Sequence, residues 1–131
     1  MANYDAKLLL ELAQMRMWDK VDEAFTWMYT QFHIDDYPQF KDRYPRGSTE
    51  RRKFTTVCNF FELAGVFVLR GHLSEDLFFD MGFGLDIMWS KVKGIMPGFR
   101  KDTSPRMYEN FELLYIKHEE WLKKNPPKLI K

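Results

Sequence analysis

The stretch that decides the fold is residues 57–69, which read VCNFFELAGVFVL and carry one charge, at Glu62. A helix this apolar must be surrounded by other helices, because almost none of its surface suits water. Glu62 is therefore expected to lie in or against a core. A buried carboxylate needs hydrogen-bond partners or it takes up a proton, so Glu62 is the most informative side chain of the sequence.

The composition is that of one globular domain. The chain has 131 residues, of which 45% are hydrophobic and 17% aromatic, and this suffices for a real core. We expect a single helical domain over residues 1–131, with its core at about 4–124 and a basic, proline-containing tail at 125–131. The formal net charge of +1 favours no class of partner, so only local patches can attract an anion.

Neither a membrane span nor an export signal is predicted. The 57–69 run is shorter than the roughly 20 apolar residues that cross a bilayer, and it contains Glu62. The leucine run at 8–10 is too short for the apolar part of a signal peptide. Cys58, the single cysteine, fits a core residue in a reducing compartment. The expected location is therefore the cytoplasm.

Helical periodicity dominates the chain, and the sequence predicts an all-α fold. We predict an irregular bundle of four main helices at about 4–32, 49–70, 74–92 and 106–124, the first with a bend or break near 17–19 and the third ended by Pro97. Short helical turns are expected in the connections at 34–47 and 97–104. Short polar side chains accept bonds from free backbone N–H groups at helix starts. The expected caps, in chain order, are Asn3 or Asp5, Ser48 or Thr49, Ser74, and Ser104.

Two short elements stand out along these helices. They are the N-F-F-E element at 59–62 and the Y-x-x-F-E element at 108–112, with RGHLSEDL at 70–77 between them. The pattern resembles an uncharacterised family of small bacterial all-helical domains, known only as a domain of unknown function. The resemblance covers about residues 10–122 and is strongest from Arg52 to Leu114. It implies a helical fold and brings no established activity, cofactor or substrate.

Two acids, Glu62 and Glu112, lie inside these elements. One hypothesis is a carboxylate pair that shares a site for proton transfer or a metal. The other, which we favour, is that each acid binds a partner and fixes the register of its helix. An arginine from residues 43–52 is the expected neighbour of Glu62. The candidate polar cluster, for a ligand or for structure, is Asn59, Glu62, Arg52, Glu112 and Tyr108.

The sequence contains no motif typical of a metal site or of a nucleophilic catalytic site. A di-metal helical bundle needs Glu-x-x-His pairs on two helices, which this chain lacks, and one cysteine excludes a Cys-rich zinc site. His33, His72 and His118 are scattered, and His118 is expected to be an interior histidine. Phosphate-loop and dinucleotide motifs are missing as well. We therefore predict no catalytic residue, no metal and no cofactor.

Basic and aromatic residues alternate in one segment. The candidate basic surface consists of Lys41, Arg43, Arg46, Arg51, Arg52 and Lys53. Basic plus aromatic is the composition of a nucleic-acid surface, but arginines that neutralise buried acids give the same pattern. We favour the second interpretation, because the overall charge is near zero.

The chain has 12 Phe, 6 Tyr and 4 Trp residues, more than a minimal core of this size needs. We therefore expect some of these rings to contact a partner. Trp18, Trp27 and Tyr29 are the rings expected there. The best hypothesis is a non-enzymatic protein-interaction or regulatory module that binds a protein partner or a second copy of itself. Open alternatives are a small-ligand binder with a pocket lined by carboxylates and an arginine, an enzyme that uses the Glu pair, and a nucleic-acid binder through residues 41–53. Nucleic acid is not the expected partner.

Overall fold

A computed structural model describes the backbone of residues 2–129 and the side chains of residues 4–129. Within this range the chain is all-α, as predicted, with eight helices and no strand. The helices are α1 (Ala2–Arg16), α2 (Asp19–Gln31), α3 (Tyr37–Arg43), α4 (Thr49–Leu69), α5 (Glu75–Met81), α6 (Leu85–Val92), α7 (Met96–Asp102) and α8 (Glu109–Lys124). Met1, Ile130 and Lys131 lie outside the described residues, as does the Asn3 side chain that was one expected cap.

Six of these helices, α1, α2, α4, α5, α6 and α8, thus replace the four main helices that the sequence predicts. The first of the four breaks between α1 and α2, where Trp18 adopts an extended backbone with ψ of 140°. Arg16 spans this corner, and its Nη1 lies 3.0 Å from Asp22 Oδ1. The break falls within the 17–19 region that the sequence marks.

The third predicted helix is interrupted at residues 82–84. Gly82, Phe83 and Gly84 have φ angles of 70°, 55° and 77°. A right-handed helix excludes positive φ, so α5 ends and α6 begins around this turn. Gly84 also packs against the Tyr29 hydroxyl of α2, and its positive φ is a conformation that residues with a side chain rarely adopt.

The connections contain the two short helices that the sequence predicts, α3 and α7. Pro97 lies in the first turn of α7 and does not end the preceding helix, which stops at Val92. The last helix begins at Glu109 and not at Arg106, because Tyr108 has a φ of 55°. Ser104 therefore caps a turn ahead of α8, where its Oγ accepts from the Arg106 N–H at 3.1 Å.

Helix α4 is the centre of the fold, and it packs against α2 and α8. Ser48 caps it as predicted, with Oγ accepting from the Arg51 N–H at 3.1 Å. Among the described helices α4 contributes the most buried side chains: Phe54, Val57, Cys58, Phe60, Phe61, Ala64, Gly65 and Val68. Even so, neither α4 nor another helix of residues 2–129 combines the length and the apolarity needed to cross a membrane.

Most aromatic rings pack into or against the core. Phe61 stacks on Phe111 with ring centroids 5.0 Å apart and packs edge-on against Phe25 at 5.7 Å. Trp27 packs on Phe32 and Tyr44, and Tyr29 packs on Phe25. Both rings are therefore half-buried against the core, and their contribution to a partner surface stays a prediction. Trp18 is 60% exposed, as expected.

Phe61→Ala tests the central position of α4. The ring is fully buried, so its loss should lower the free energy of unfolding by about 3–5 kcal/mol through lost transfer energy and a residual cavity. Urea unfolding measures this. Leu113→Ala on the 48% exposed position of α8 is the control and should change stability by less than about 1 kcal/mol. Equal, small losses for both variants would contradict the observed packing.

Candidate functional site

Glu62 of α4 caps the N-terminus of α8. Its Oε1 accepts from the Phe111 backbone N–H at 2.9 Å, and its Oε2 accepts from Asn110 Nδ2 at 2.8 Å. Helix α8 needs this partner, because its own N-cap residue, Tyr108, is left-handed and supplies no side-chain cap. The first N–H groups of a helix have no intrahelical acceptor, and a carboxylate also suits the positive end of the helix dipole.

The contact requires that α4 and α8 come unusually close. Gly65 makes this possible, since a Cβ at that position would lie 2.5 Å from the carbonyl oxygen of Asn110. Glu62 lies one turn before Gly65 on the same side of α4. The glycine and the acid therefore act together, one by admitting the backbone of α8 and the other by binding it.

Glu112 has a different partner. Arg100 Nη1 donates to Glu112 Oε1 at 2.6 Å, Nε donates to the Met107 carbonyl at 2.8 Å, and Nη2 donates to the Tyr108 carbonyl at 3.3 Å. One guanidinium from α7 thus holds the turn that leads into α8. The two motif acids each stabilise the start of α8, through different groups.

The other members of the candidate polar cluster are spread along α4. Arg52 is exposed and donates to the Gly47 carbonyl at 3.1 Å, and Asn59 is exposed as well. The arginine expected beside Glu62 is not its partner, because ten residues of helix separate Arg52 from Glu62, about 15 Å at 1.5 Å per residue. Tyr108 is buried at the α4–α8 junction, and burial raises the pKa of its hydroxyl.

The basic segment separates into two groups. Lys41, Arg46 and Arg51 line a cleft of about 340 Å³ between α3, α4 and α7. We call it the basic cleft, and its full lining is Tyr37, Lys41, Pro45, Arg46, Arg51 and Asp102. Arg43, Arg52 and Lys53 do not line it. Tyr37, Pro45 and Asp102 line the cleft without belonging to the candidate basic surface. Sequence reasoning missed Asp102 altogether, since it lies 61 residues from Lys41 along the chain and no local pattern links the two.

Asp102 already has two partners in the basic cleft. Its Oδ2 accepts from the Tyr37 hydroxyl at 2.8 Å and from Lys41 Nζ at 3.0 Å. These bonds hold the pKa of the Asp102 carboxyl below its usual value, and the bond from Tyr37 has the largest effect. Burial and the bond to Asp102 raise the pKa of Tyr37. Asp102 therefore stays ionised and compensates one of the three cations.

Arg51 is fixed at the inner wall of the basic cleft. Its Nε donates to the Tyr44 carbonyl at 2.9 Å, and its guanidinium carbon lies 4.5 Å from the Phe40 ring centroid. Burial lowers the pKa of Arg51, and the nearby Arg46 lowers it further. The guanidinium is thus held rigidly and partly stripped of water.

A third cluster surrounds His118, which is interior, as predicted, at 8% exposure. Its Nδ1 lies 2.7 Å from Asp86 Oδ1, and its ring lies between Phe79 at 4.7 Å and Trp121 at 5.9 Å. Asp86 lies on α6, 32 residues before His118 in the chain, so no local sequence pattern predicts that the two side chains pair. These contacts join α5, α6 and the end of α8.

The thiol of Cys58 is fully buried, and burial raises its pKa well above the usual value. A buried neutral thiol is a poor nucleophile. Across residues 2–129, no three His, Cys, Asp or Glu side chains converge closely enough to hold a metal ion. The basic cleft, which brings three cations together at the surface, is the candidate site.

Replacing Glu62 tests its capping role. Glu62→Gln should be tolerated, because one amide oxygen can still accept from Phe111 N–H while the Asn110 amide rotates to accept from the new NH₂. Glu62→Leu should lower the free energy of unfolding by about 1–3 kcal/mol, the cost of an unsatisfied buried donor. Thermal and urea unfolding measure both. A Glu62→Leu protein at least as stable as the unchanged chain would contradict the cap.

Cys58 predicts how stability depends on alkaline pH. Because its pKa is raised in the folded state, the unfolded chain loses the thiol proton first, from about pH 8.5 upward. Stability should then fall with pH by up to about 1.4 kcal/mol per unit for this one group. Urea unfolding between about pH 8 and 9.5 should show a steeper loss in the unchanged chain than in Cys58→Ala. Parallel pH profiles would show that the thiol titrates normally.

Comparison with known proteins gives a family and no function. No curated protein matches the chain, and no solved structure matches it. One family model matches residues 2–118, and its description is Domain of unknown function (DUF4760). The match covers most of the chain and includes both motif elements, in agreement with the resemblance drawn from the sequence. The chain belongs to this DUF4760 family.

Proposed function

We propose that this single domain is a non-enzymatic, cytoplasmic interaction module that binds a phosphorylated side chain of a protein partner in the basic cleft. The observation that carries the proposal is Arg51, a fixed and partly buried guanidinium with no carboxylate partner among the described residues. A partner phosphate would supply the missing anion.

The geometry of Arg51 suits an anion. Its Nε is bound to the Tyr44 carbonyl and its face lies against Phe40 and Phe99, so the side chain has little freedom left to lose on binding. The two terminal nitrogens form a fork that matches two oxygens of a phosphate. A pre-organised guanidinium loses less entropy for each hydrogen bond that it forms.

The charge balance of the cleft points the same way. Lys41, Arg46 and Arg51 converge on one space, and Asp102 compensates one of these charges. Like charges at close range repel one another, and Arg46 lowers the pKa of Arg51. A dianionic group in the cleft would relieve this repulsion and would gain charge-assisted hydrogen bonds.

The size of the cleft favours a single group over a long polyanion. A volume of about 340 Å³ lies at the lower limit for small-molecule sites, which suits one phosphorylated side chain. A nucleic-acid surface normally extends over many phosphates and belongs to a strongly basic domain. The net charge of this chain is only +1.

A phosphopeptide titration tests the proposal. The probe is a short peptide with one phosphoserine, followed by backbone amide NMR shifts and compared with the same peptide unphosphorylated. The phosphopeptide should shift amides of α3, α7 and the start of α4. Arg51→Gln should weaken it about tenfold or more, since hydrogen bonds to charged groups contribute about 1.5–3 kcal/mol.

Arg43→Gln is the matched control, because Arg43 carries the same charge in the same segment without lining the cleft. It should leave the affinity within about twofold, as expected for a screened surface charge. Equal losses for the two variants would show non-specific attraction. Tighter binding of single-stranded RNA, with a steep salt dependence, would replace the proposal by a nucleic-acid function.

A further inference from the structure

A second, larger cavity lies between α5, the end of α8 and the segment that follows α8. Its volume is about 1,100 Å³. We call it the C-terminal groove and define it by the lining residues on which the argument rests: Asp76, Phe79, Asp80, Trp121, Leu122 and Lys128. None of them belongs to the basic cleft.

The walls of the C-terminal groove are largely apolar and partly open to water. Phe79 and Trp121 place their ring centroids 5.5 Å apart, and Leu122 is 41% exposed. Leu129, which also lines the groove, is 90% exposed. Such apolar surface beside a cavity is the surface that a hydrophobic ligand covers.

One edge of the groove carries carboxylates. Asp76 Oδ1 accepts from Trp121 Nε1 at 2.7 Å, which fixes the orientation of the indole. Asp80 Oδ1 lies 3.2 Å from Lys128 Nζ. The chain itself thus places an ammonium group at Asp80, next to aromatic walls that also favour cations.

We propose that the C-terminal groove is a binding site for a small amine with a hydrophobic body, whose ammonium replaces that of Lys128 at Asp80. The Lys128 side chain is 80% exposed, and an ion pair this exposed contributes little to stability, so an incoming amine displaces it at little cost. Lys124 and Lys128 both line the groove. An incoming ammonium group therefore binds Asp80 only by displacing the ammonium group of Lys128, which competes with it for that carboxylate.

The test uses n-octylamine as the probe, with 1-octanol and octanoate as neutral and anionic counterparts of the same length. Binding is followed by NMR on the whole chain, with the Trp121 indole N–H as the reporter because it is bonded to Asp76. Octylamine should shift this resonance saturably and bind at least about threefold more tightly than octanol, the scale of an exposed ion pair.

Two substitutions distinguish the exchange from general hydrophobic binding. Asp80→Asn should weaken octylamine about threefold and leave octanol unchanged, whereas Lys128→Ala should strengthen octylamine about two- to threefold. Asp42→Asn and Lys123→Ala, which alter charges outside the groove, are the matched controls and should change neither affinity. All four positions are at the surface, so unfolding temperatures should stay close to that of the unchanged chain.

Three results would overturn the proposal. Equal binding of octylamine and octanol would show a purely apolar groove, and tighter binding of octanoate would assign the site to the two lysines. A Lys128→Ala protein that binds octylamine more weakly would show that Lys128 builds the site and does not compete for it. None of these results bears on the basic cleft, whose phosphopeptide test is read at other amides.

Discussion

The structure depends on the carboxylate of Glu62 at the start of α8. Helix α8 follows a left-handed residue that supplies no side-chain cap, so an acid from α4 binds a backbone N–H group of its first turn. The same contact aligns α4 with α8, the helix that it touches most extensively. Phe61, the neighbour of Glu62, stacks on Phe111, the neighbour of Asn110. Polar capping and aromatic stacking thus fix the same register.

Arg100 completes this arrangement from the other side. It binds two carbonyls of the turn before α8 and the carboxylate of Glu112, so the turn is held by a cation while the helix start is held by an anion. Each charge is matched to the end of the peptide dipole that it faces. The acids at 62 and 112 are therefore both engaged in contacts that hold the start of α8 against α4 and α7.

The proposed binding sites lie away from these contacts. Arg51 of α4 lines the basic cleft. Its Nε binds the Tyr44 carbonyl, and its guanidinium packs against the rings of Phe40 and Phe99. In the C-terminal groove, carboxylates of α5 meet aromatic and aliphatic walls of α8. The packed pair α4–α8 contributes to both sites, since the basic cleft includes the start of α4 and the groove includes the end of α8.

The sequence by itself determined the helical class, the central place of α4, its cap at Ser48 and the burial of Cys58, because these follow from local apolar content and from side chains close to a helix start. It also marked Glu62 as an acid in need of partners. It gave no means of naming them: Asn110 and Phe111 are 48 and 49 residues away, and the arginines that are near in sequence are far along the helix axis. The interruption of the third predicted helix at residues 82–84 likewise escaped helical periodicity, since the positive φ angles of Gly82, Phe83 and Gly84 leave the spacing of apolar residues unchanged. Tertiary structure alone decided which charges meet, because Tyr37, Arg51 and Asp102 come from three helices whose mutual placement is set by the aromatic core between them.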